Sequence, residues 1–274
     1  MRELSGAVGI VTGASRGVGP VIAERLAREG VRLALVARSE EGLAATARRL
    51  RRYGPEPLTV PADVSDEDGQ KNIVETVCRE LGPPALLVNN AAVERISRFQ
   101  DVTVEDIRNI LMVNLFGTQA LTRLVLPHML TVGSGHIVNI GSVGGRTAYP
   151  YGTINSAAKH GLVGFTWSLR EELRGTGVGV SAVYPTLVAD VGISARWSAG
   201  RRPLMLGQVT GQAVAEAVLS CIRKDRVEIT VSPVMERIAD VFSAVSPRLT
   251  AWVARNSGVY SYLREVADVG RRGG

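Results

Sequence analysis

Short apolar runs alternate with longer amphipathic ones from the start of the chain. Ala7–Thr12 reads as a buried strand, and Gly17–Glu29 as a helix with Val18, Val21, Ile22 and Leu26 on one face. The pattern then repeats: Val31–Ala37 and Glu41–Arg52, Leu58–Pro61 and Asp66–Glu80, Ala85–Asn89 and Val104–Leu130. His136–Ile140 and Tyr151–Arg174 follow, then Gly179–Tyr184, Gln208–Arg223 and Val227–Val231. Near-continuous apolar strands between helices predict a parallel sheet covered on both faces. No linker or low-complexity segment interrupts residues 7–231, so the pattern predicts one doubly wound α/β domain over residues 1–232, with a seven-stranded parallel sheet.

After Val231 the alternation stops, and residues 233–274 read as a helical extension. Val234, Ile238, Val241, Phe242 and Val245 fall on one side of a first helix; Leu249, Trp252 and Val253, then Val259, Tyr260, Leu263 and Val266 follow. Such faces are expected to pack on the domain or on a partner subunit. A substrate lid or a membrane-surface patch is the alternative. Glu236, Asp240 and Asp268 mixed with Arg237, Arg248 and Arg264 argue against an anionic membrane.

Composition narrows the setting. A chain of 274 residues, 45% hydrophobic, can bury a sizeable core without a disulfide or metal staple. Cys78 and Cys221 stand far apart, which excludes a disulfide framework, shows no zinc spacing and suits a reducing, cytoplasmic compartment. No run of about 18 uncharged apolar residues occurs, so no spanning helix is expected, and MRELSGAVGIVTG does not read as a signal peptide. The net charge is +6, yet of 32 basic residues only Lys71, Lys159 and Lys224 are lysines. Arg48-Arg49 and Arg51-Arg52 lie on a helix's polar side without interleaved aromatics, so no nucleic-acid site is expected. His128, His136 and His160 show no metal-ligand spacing.

The chemistry begins at the first strand-to-helix turn, Thr12-Gly13-Ala14-Ser15-Arg16-Gly17-Val18-Gly19. Glycines there permit positive φ and close approach of backbone to phosphate, and the helix N-terminus offers amide donors. In a βαβ context this predicts a Rossmann-type dinucleotide site at Gly13, Ser15, Arg16, Gly17, Val18 and Gly19. The second strand ends at Arg38, where an acidic residue would accept ribose hydroxyls. With Arg16, Arg38 suits a 2′-phosphate, so NADP(H) is expected. Asp63 and Val64 are placed to meet the adenine edge, and Asn90 and Ala91 end the fourth strand beside the loop.

With TGASRGVG, ADV, NNAA, Asn114 in MVNLFG, Ser142 in NIGS, Lys159 in SAAKHGLVGFT and Pro185 after VSAVY, the chain resembles the short-chain dehydrogenase/reductase family over residues 5–231. The resemblance implies a seven-stranded parallel sheet and hydride transfer between nicotinamide and a carbonyl or alcohol. It assigns catalytic positions to Ser142, Lys159 and Asn114, with Lys159 also on the nicotinamide ribose, and places Pro185 and Val188 beside the nicotinamide. The family's catalytic tyrosine stands four residues before its lysine; here that residue is Asn155. Asparagine polarises a carbonyl but has no proton to transfer near neutral pH, so ordinary reductase activity should fall about 10²- to 10⁴-fold. Tyr149 and Tyr151 stand ten and eight residues before Lys159, off its helical face by spacing; they, or Tyr184, are the candidates for a relocated tyrosine. Asp190, where the family commonly has threonine, would repel a pyrophosphate unless its loop turns it outward.

Three functions remain on this reading. The first is an NADP(H)-dependent oxidoreductase acting on a carbonyl or alcohol of a bulky, largely apolar small molecule, with Asn155 an altered residue. The second is a repurposed enzyme of this fold catalysing a non-redox step such as cyclisation, dehydration or isomerisation. The third is a non-catalytic cofactor-binding protein. Residues 187–207, with Arg196, Trp197, Arg201, Arg202, Met205 and Leu206, are expected to form the substrate loop. A mixed apolar and cationic lining suits a ligand with an acidic or phenolic group, an aromatic polyketide-like compound being one guess. The resemblance implies a homodimer or homotetramer with contacts through the helices at 104–130 and 151–174.

Overall fold

The computed structural model describes residues 3–147, 149–192, 203, 206–233 and 246–272. Its seven-stranded sheet has the order Leu58–Pro61, Arg32–Ala37, Val8–Thr12, Leu86–Asn89, Gly135–Ile140, Val178–Pro185 and Glu228–Val231, every pairing parallel. The strands are β1 (Val8–Thr12), β2 (Arg32–Ala37), β3 (Leu58–Pro61), β4 (Leu86–Asn89), β5 (Gly135–Ile140), β6 (Val178–Pro185) and β9 (Glu228–Val231). The helices between them are α1 (Val18–Ala27), α2 (Glu40–Leu50), α3 (Glu67–Glu80), α4 (Val104–Leu111), α5 (Gly117–Val132), α6 (Thr153–Glu172) and α7 (Gly211–Lys224).

Helices cover both faces because both faces of the strands are apolar. One core joins Val11, Leu33, Leu35, Leu86, Val88 and Val183 to α1 and α7. The other joins Ile10, Ala34, Val36, Leu87 and Ile137 to Ile73 and Val77 of α3 and Leu121, Val125 and Met129 of α5. Alternate residues of each strand therefore serve different layers, as the strand period of two requires.

One helix start and the strand inventory are corrected. Gln208–Val209 is a strand, β8, paired with β7 (Leu187–Val188); helix α7 starts later because the Thr210 hydroxyl accepts from the Ala213 N–H and caps it there. The chain thus adds a two-stranded sheet to the seven strands expected. The helical segment Val104–Val132 is, among the described residues, long and apolar enough to cross a membrane by length and composition alone. Arg123 hid it from a search for an uncharged run, and its Leu121, Val125 and Met129 are part of the domain core.

The same segment positions a site residue. Thr103 and Asp106 form a capping box at the start of α4, the Thr103 hydroxyl accepting from the Asp106 N–H at 3.1 Å. Between α4 and α5, Met112–Phe116 makes a π turn that carries Asn114, a widening of the helix that is frequent at functional sites. Thr103→Ala is expected to cost about 1 kcal/mol, read as a lowered urea midpoint.

Of the extension, the helices Pro247–Asn256 and Val259–Arg272 are described. The second packs Tyr262, Leu263 and Val266 against Ile96, Tyr149, Tyr151 and Leu206 of the domain. Arg98 pairs with its Asp268, and Arg264 donates to the Tyr151 hydroxyl at 3.2 Å. Val234, Ile238, Val241, Phe242 and Val245 of the expected first helix lie outside the described residues, as do Arg196, Trp197, Arg201, Arg202 and Met205 of the expected substrate loop.

Candidate active site

Strand order reverses between β1 and β4, and the crevice beyond the C-terminal ends of these strands is where open parallel sheets bind ligands. The Thr12 hydroxyl accepts from the N–H groups of Asn90 and Ala91 at 2.9 and 3.0 Å, and Asn90 Nδ2 donates to the Thr12 carbonyl at 2.9 Å. These bonds lock the glycine loop to the end of β4, so Asn90 and Ala91 act there as braces.

Gly13 and Gly17 have φ of +67° and +69°, which a side chain would strain. Gly19 lies so close to the loop that a Cβ would stand 2.1 Å from the Gly13 carbonyl oxygen. Helix α1 begins with no side-chain cap and no acidic residue in its first turn. Its first amides and positive dipole end therefore meet the crevice without a competing side chain, the arrangement that binds phosphate.

At the adenosine end, Arg38 Nη1 lies 3.6 Å from Asp63 Oδ2. Burial raises the Asp63 carboxyl, but hydrogen bonds from Ser65 and the Arg38 charge outweigh it and hold the pKa low. Val64 is buried, and its carbonyl accepts from Gln70 Nε2 at 2.6 Å. Pro185 ends β6 and Val188 is buried in β7. Asp190 does not stand as a loose carboxylate: its Oδ1 accepts from the Gly211 N–H at 2.9 Å, at the positive end of α7.

The catalytic candidates assemble at the ends of β4 and β5. Ser142 follows β5, and its hydroxyl oxygen accepts from the Gly144 N–H at 3.1 Å. Asn155 and Lys159 share a face of α6, one turn apart, both buried. Lys159 Nζ donates to the Ile140 carbonyl at 2.8 Å. Burial lowers its pKa to about 8, against the opposing charge of Glu94. Asn114 is clamped to Val93 by two bonds, N–H to Oδ1 at 2.9 Å and Nδ2 to carbonyl at 2.8 Å, and its Nδ2 also donates to Asn155 Oδ1 at 3.0 Å.

The remaining partners of Asn155 were not expected. Its Nδ2 donates to Glu94 Oε1 at 2.9 Å and to the Tyr149 hydroxyl oxygen at 2.8 Å, and Tyr149 donates to Glu94 Oε1 at 3.0 Å. Tyr149 therefore joins the site despite its spacing from Lys159. It reaches Asn155 from the loop before α6, where Tyr151 holds a φ of +69°, a strained value for a bulky residue. Tyr151 points instead to Arg264, and Tyr184 is fully buried, its ring against Gly141 and under the Arg146 guanidinium at 5.4 Å. Burial raises the Glu94 pKa, with Tyr149 and Lys159 opposing. Glu94 belongs to none of the motifs; its one signal in the sequence is an acid within Ala91-Ala92-Val93-Glu94-Arg95-Ile96, just past a strand end facing the crevice.

A family model for short chain dehydrogenases matches residues 7–201. The ketoacyl reductase HetN of Nostoc sp. is 35% identical over 98% of this chain and 95% of its own length. A variant of actinorhodin polyketide ketoreductase solved with NADPH has a TM-score of 0.78 at 33% identity, covering 84% of this chain and 97% of that one. A short-chain dehydrogenase/reductase of Burkholderia phymatum solved with NAD reaches 0.81 at 28% identity, covering 91% and 96%. The chain belongs to the short-chain dehydrogenase/reductase family, and its family and relatives mark it as an oxidoreductase.

Proposed function

We propose that this oxidoreductase is an NADP(H)-dependent ketoreductase for a bulky, largely apolar carbonyl compound, working with Asn155 at the position of the family's tyrosine. The observation that carries the reading is the convergence of Ser142, Asn155, Lys159 and Asn114 beside a glycine loop that a Cβ at Gly19 would close. A dinucleotide fits these residues, because the uncapped start of α1 is free to take its pyrophosphate. Gly13, Ser15, Gly17, Val18 and Gly19 would hold the phosphates, Arg16 and Arg38 the 2′-phosphate, and Asp63 and Val64 the adenine. Lys159 would bind the nicotinamide ribose, with Pro185 and Val188 along the nicotinamide. When bound, this cofactor supplies the hydride.

The chain's own groups then act on the carbonyl oxygen. Ser142 has its oxygen occupied by the Gly144 amide and its hydroxyl proton available for donation. The Lys159 ammonium adds positive charge where negative charge develops, an effect that grows in a site closed to water. Ile96, Tyr151, Leu206, Tyr262, Leu263 and Val266 pack with Tyr149 in one apolar cluster beside the site, a setting that suits a bulky apolar substrate. Ketoreductase names among the relatives agree with this class.

The test is NADPH consumption with a panel of ketones, by this chain and by Asn155→Tyr in parallel. Turnover by either chain supports the reading; absence of NADPH binding and turnover in both contradicts it. Arg38→Asp is expected to weaken NADPH binding on the order of 10- to 100-fold, the worth of a hydrogen bond to a charged group, and to favour NADH. Calorimetric titration with both cofactors checks this, and equal affinity for the two in the parent chain would sink the 2′-phosphate assignment.

A further inference from the structure

Asn155 leaves the site without a side chain that can exchange a proton at the family's tyrosine position. Among the described side chains, the two that bond to its amide nitrogen both carry a transferable proton: Tyr149 and Glu94. Tyr149 is seated there by design of the backbone. A Cβ at Gly144 would stand 2.3 Å from its ring, and one at Gly152 would stand 2.1 Å away, so the phenol occupies a slot that two glycines leave open. Gly144 also supplies the N–H that holds the Ser142 hydroxyl. The ring thus lies against the turn that holds the Ser142 hydroxyl, and its own hydroxyl reaches Asn155. The C-terminal helix closes the slot from outside, with Tyr262, Leu263 and Val266 in one cluster with Tyr149.

We propose that the Tyr149 hydroxyl, set by Asn155 and backed by the Glu94 carboxyl, is the proton donor of this site. The proposal rests on the ketoreductase reading. In reduction, the cofactor when bound would supply a hydride to the carbonyl carbon, and the C=O π pair would move to oxygen. That oxygen takes the phenolic proton as the Tyr149 O–H bond breaks. The phenolate takes the proton of the Glu94 carboxylic acid, and water reprotonates Glu94. With Glu94 protonated, the 3.0 Å contact runs from carboxyl to phenol oxygen and releases the phenolic hydrogen toward substrate. Tyr149 is then the catalytic residue, and Glu94 acts through it as a positioning and relay group.

Burial and the Glu94 charge both raise the Tyr149 pKa, so an ionised Glu94 hinders the step and a protonated one assists it. The groups facing Glu94 are Lys159 and Asn155 from α6 and Tyr149 from the preceding loop, and Asn114 of the π turn bonds to the Asn155 oxygen. On the C-terminal helix, Arg264 and Asp268 are engaged at the rim by Tyr151 and Arg98. Reduction is therefore fastest below the raised Glu94 pKa and slows as pH rises through it.

The test uses Tyr149→Phe and Glu94→Gln, which keep the ring and the planar shape of the carboxyl. Tyr149→Phe is expected to lower kcat about 10²- to 10⁴-fold with NADPH affinity unchanged by calorimetry. Glu94→Gln is expected to remove the high-pH decline of kcat. Without cofactor, infrared spectra of the parent should keep a protonated-carboxyl band above the ordinary glutamate range, absent from Glu94→Gln. Parent kcat in Tyr149→Phe overturns the proposal, as does turnover by Asn155→Tyr alone; in both cases the ketoreductase reading survives. Failure of parent and Asn155→Tyr alike to bind and oxidise NADPH overturns that reading and this proposal with it.

Discussion

Lys159→Met lowers turnover by about 10⁴-fold, the upper end of what acid–base groups contribute, while the fold persists. The ammonium is buried, donates to Ile140 and faces Glu94 across the cluster. Its removal takes away the proposed ribose contact and the positive charge that acts on Glu94 together. Stability moves in a different way. Burial depresses the Lys159 pKa to about 8 in the fold, from an ordinary value of 10.5. Between these values the unfolded chain binds more protons, so this group's contribution to stability rises with pH across that window. Below about pH 8 both states carry the charge, and the folded state bears its desolvation. Methionine relieves that cost but leaves the Ile140 carbonyl without its donor, a penalty of about 1–3 kcal/mol. The two effects oppose, so at neutral pH stability changes by less than about 2 kcal/mol. Urea unfolding beside the NADPH assay separates lost chemistry from lost fold; a drop in turnover that tracks unfolding would contradict the assignment.

Gly19→Ala is the second large effect. The added Cβ meets the Gly13 carbonyl oxygen at 2.1 Å and Asn90 Nδ2 at 2.9 Å. The first is backbone and cannot rotate aside, so the start of α1 must move off the loop. Overpacking of this kind costs about 1–3 kcal/mol. A shift near 1 Å in the proposed phosphate-binding loop is expected to cost on the order of 10²-fold in kcat/KM. Gly164→Ala is the control: it lies in α6 with nothing within 4 Å of its Cβ position, and it should stabilise by up to about 1 kcal/mol. Denaturation and NADPH titration on both variants check the pair; equal behaviour would show that Gly19 is not a close-approach position.

The strands were legible because each is a short apolar run bounded by turn residues, and Leu58–Pro61 spans the residues its pattern predicts. The β7–β8 pair escaped notice because two-residue strands carry no period. Most of the candidate site was also legible: the family resemblance marks Ser142, Lys159 and Asn114, and Asn155 stands one helical turn before Lys159 on α6. Tyr149 and Glu94 were not. Their meeting depends on a loop with a positive-φ tyrosine and on an irregular segment beyond β4, and neither is encoded in a helical or strand spacing. Helical spacing placed Tyr149 off the Lys159 face, which holds within a helix and fails for a residue that arrives from outside it.

The central claim is hydride transfer to a carbonyl at this site. It is tested most directly by supplying NADPH with deuterium at its reducing carbon, together with a ketone the chain turns over, and reading the product by mass spectrometry. The account predicts one deuterium on the carbinol carbon and one NADPH consumed per alcohol formed. A product without deuterium, formed with NADPH left intact, would contradict it.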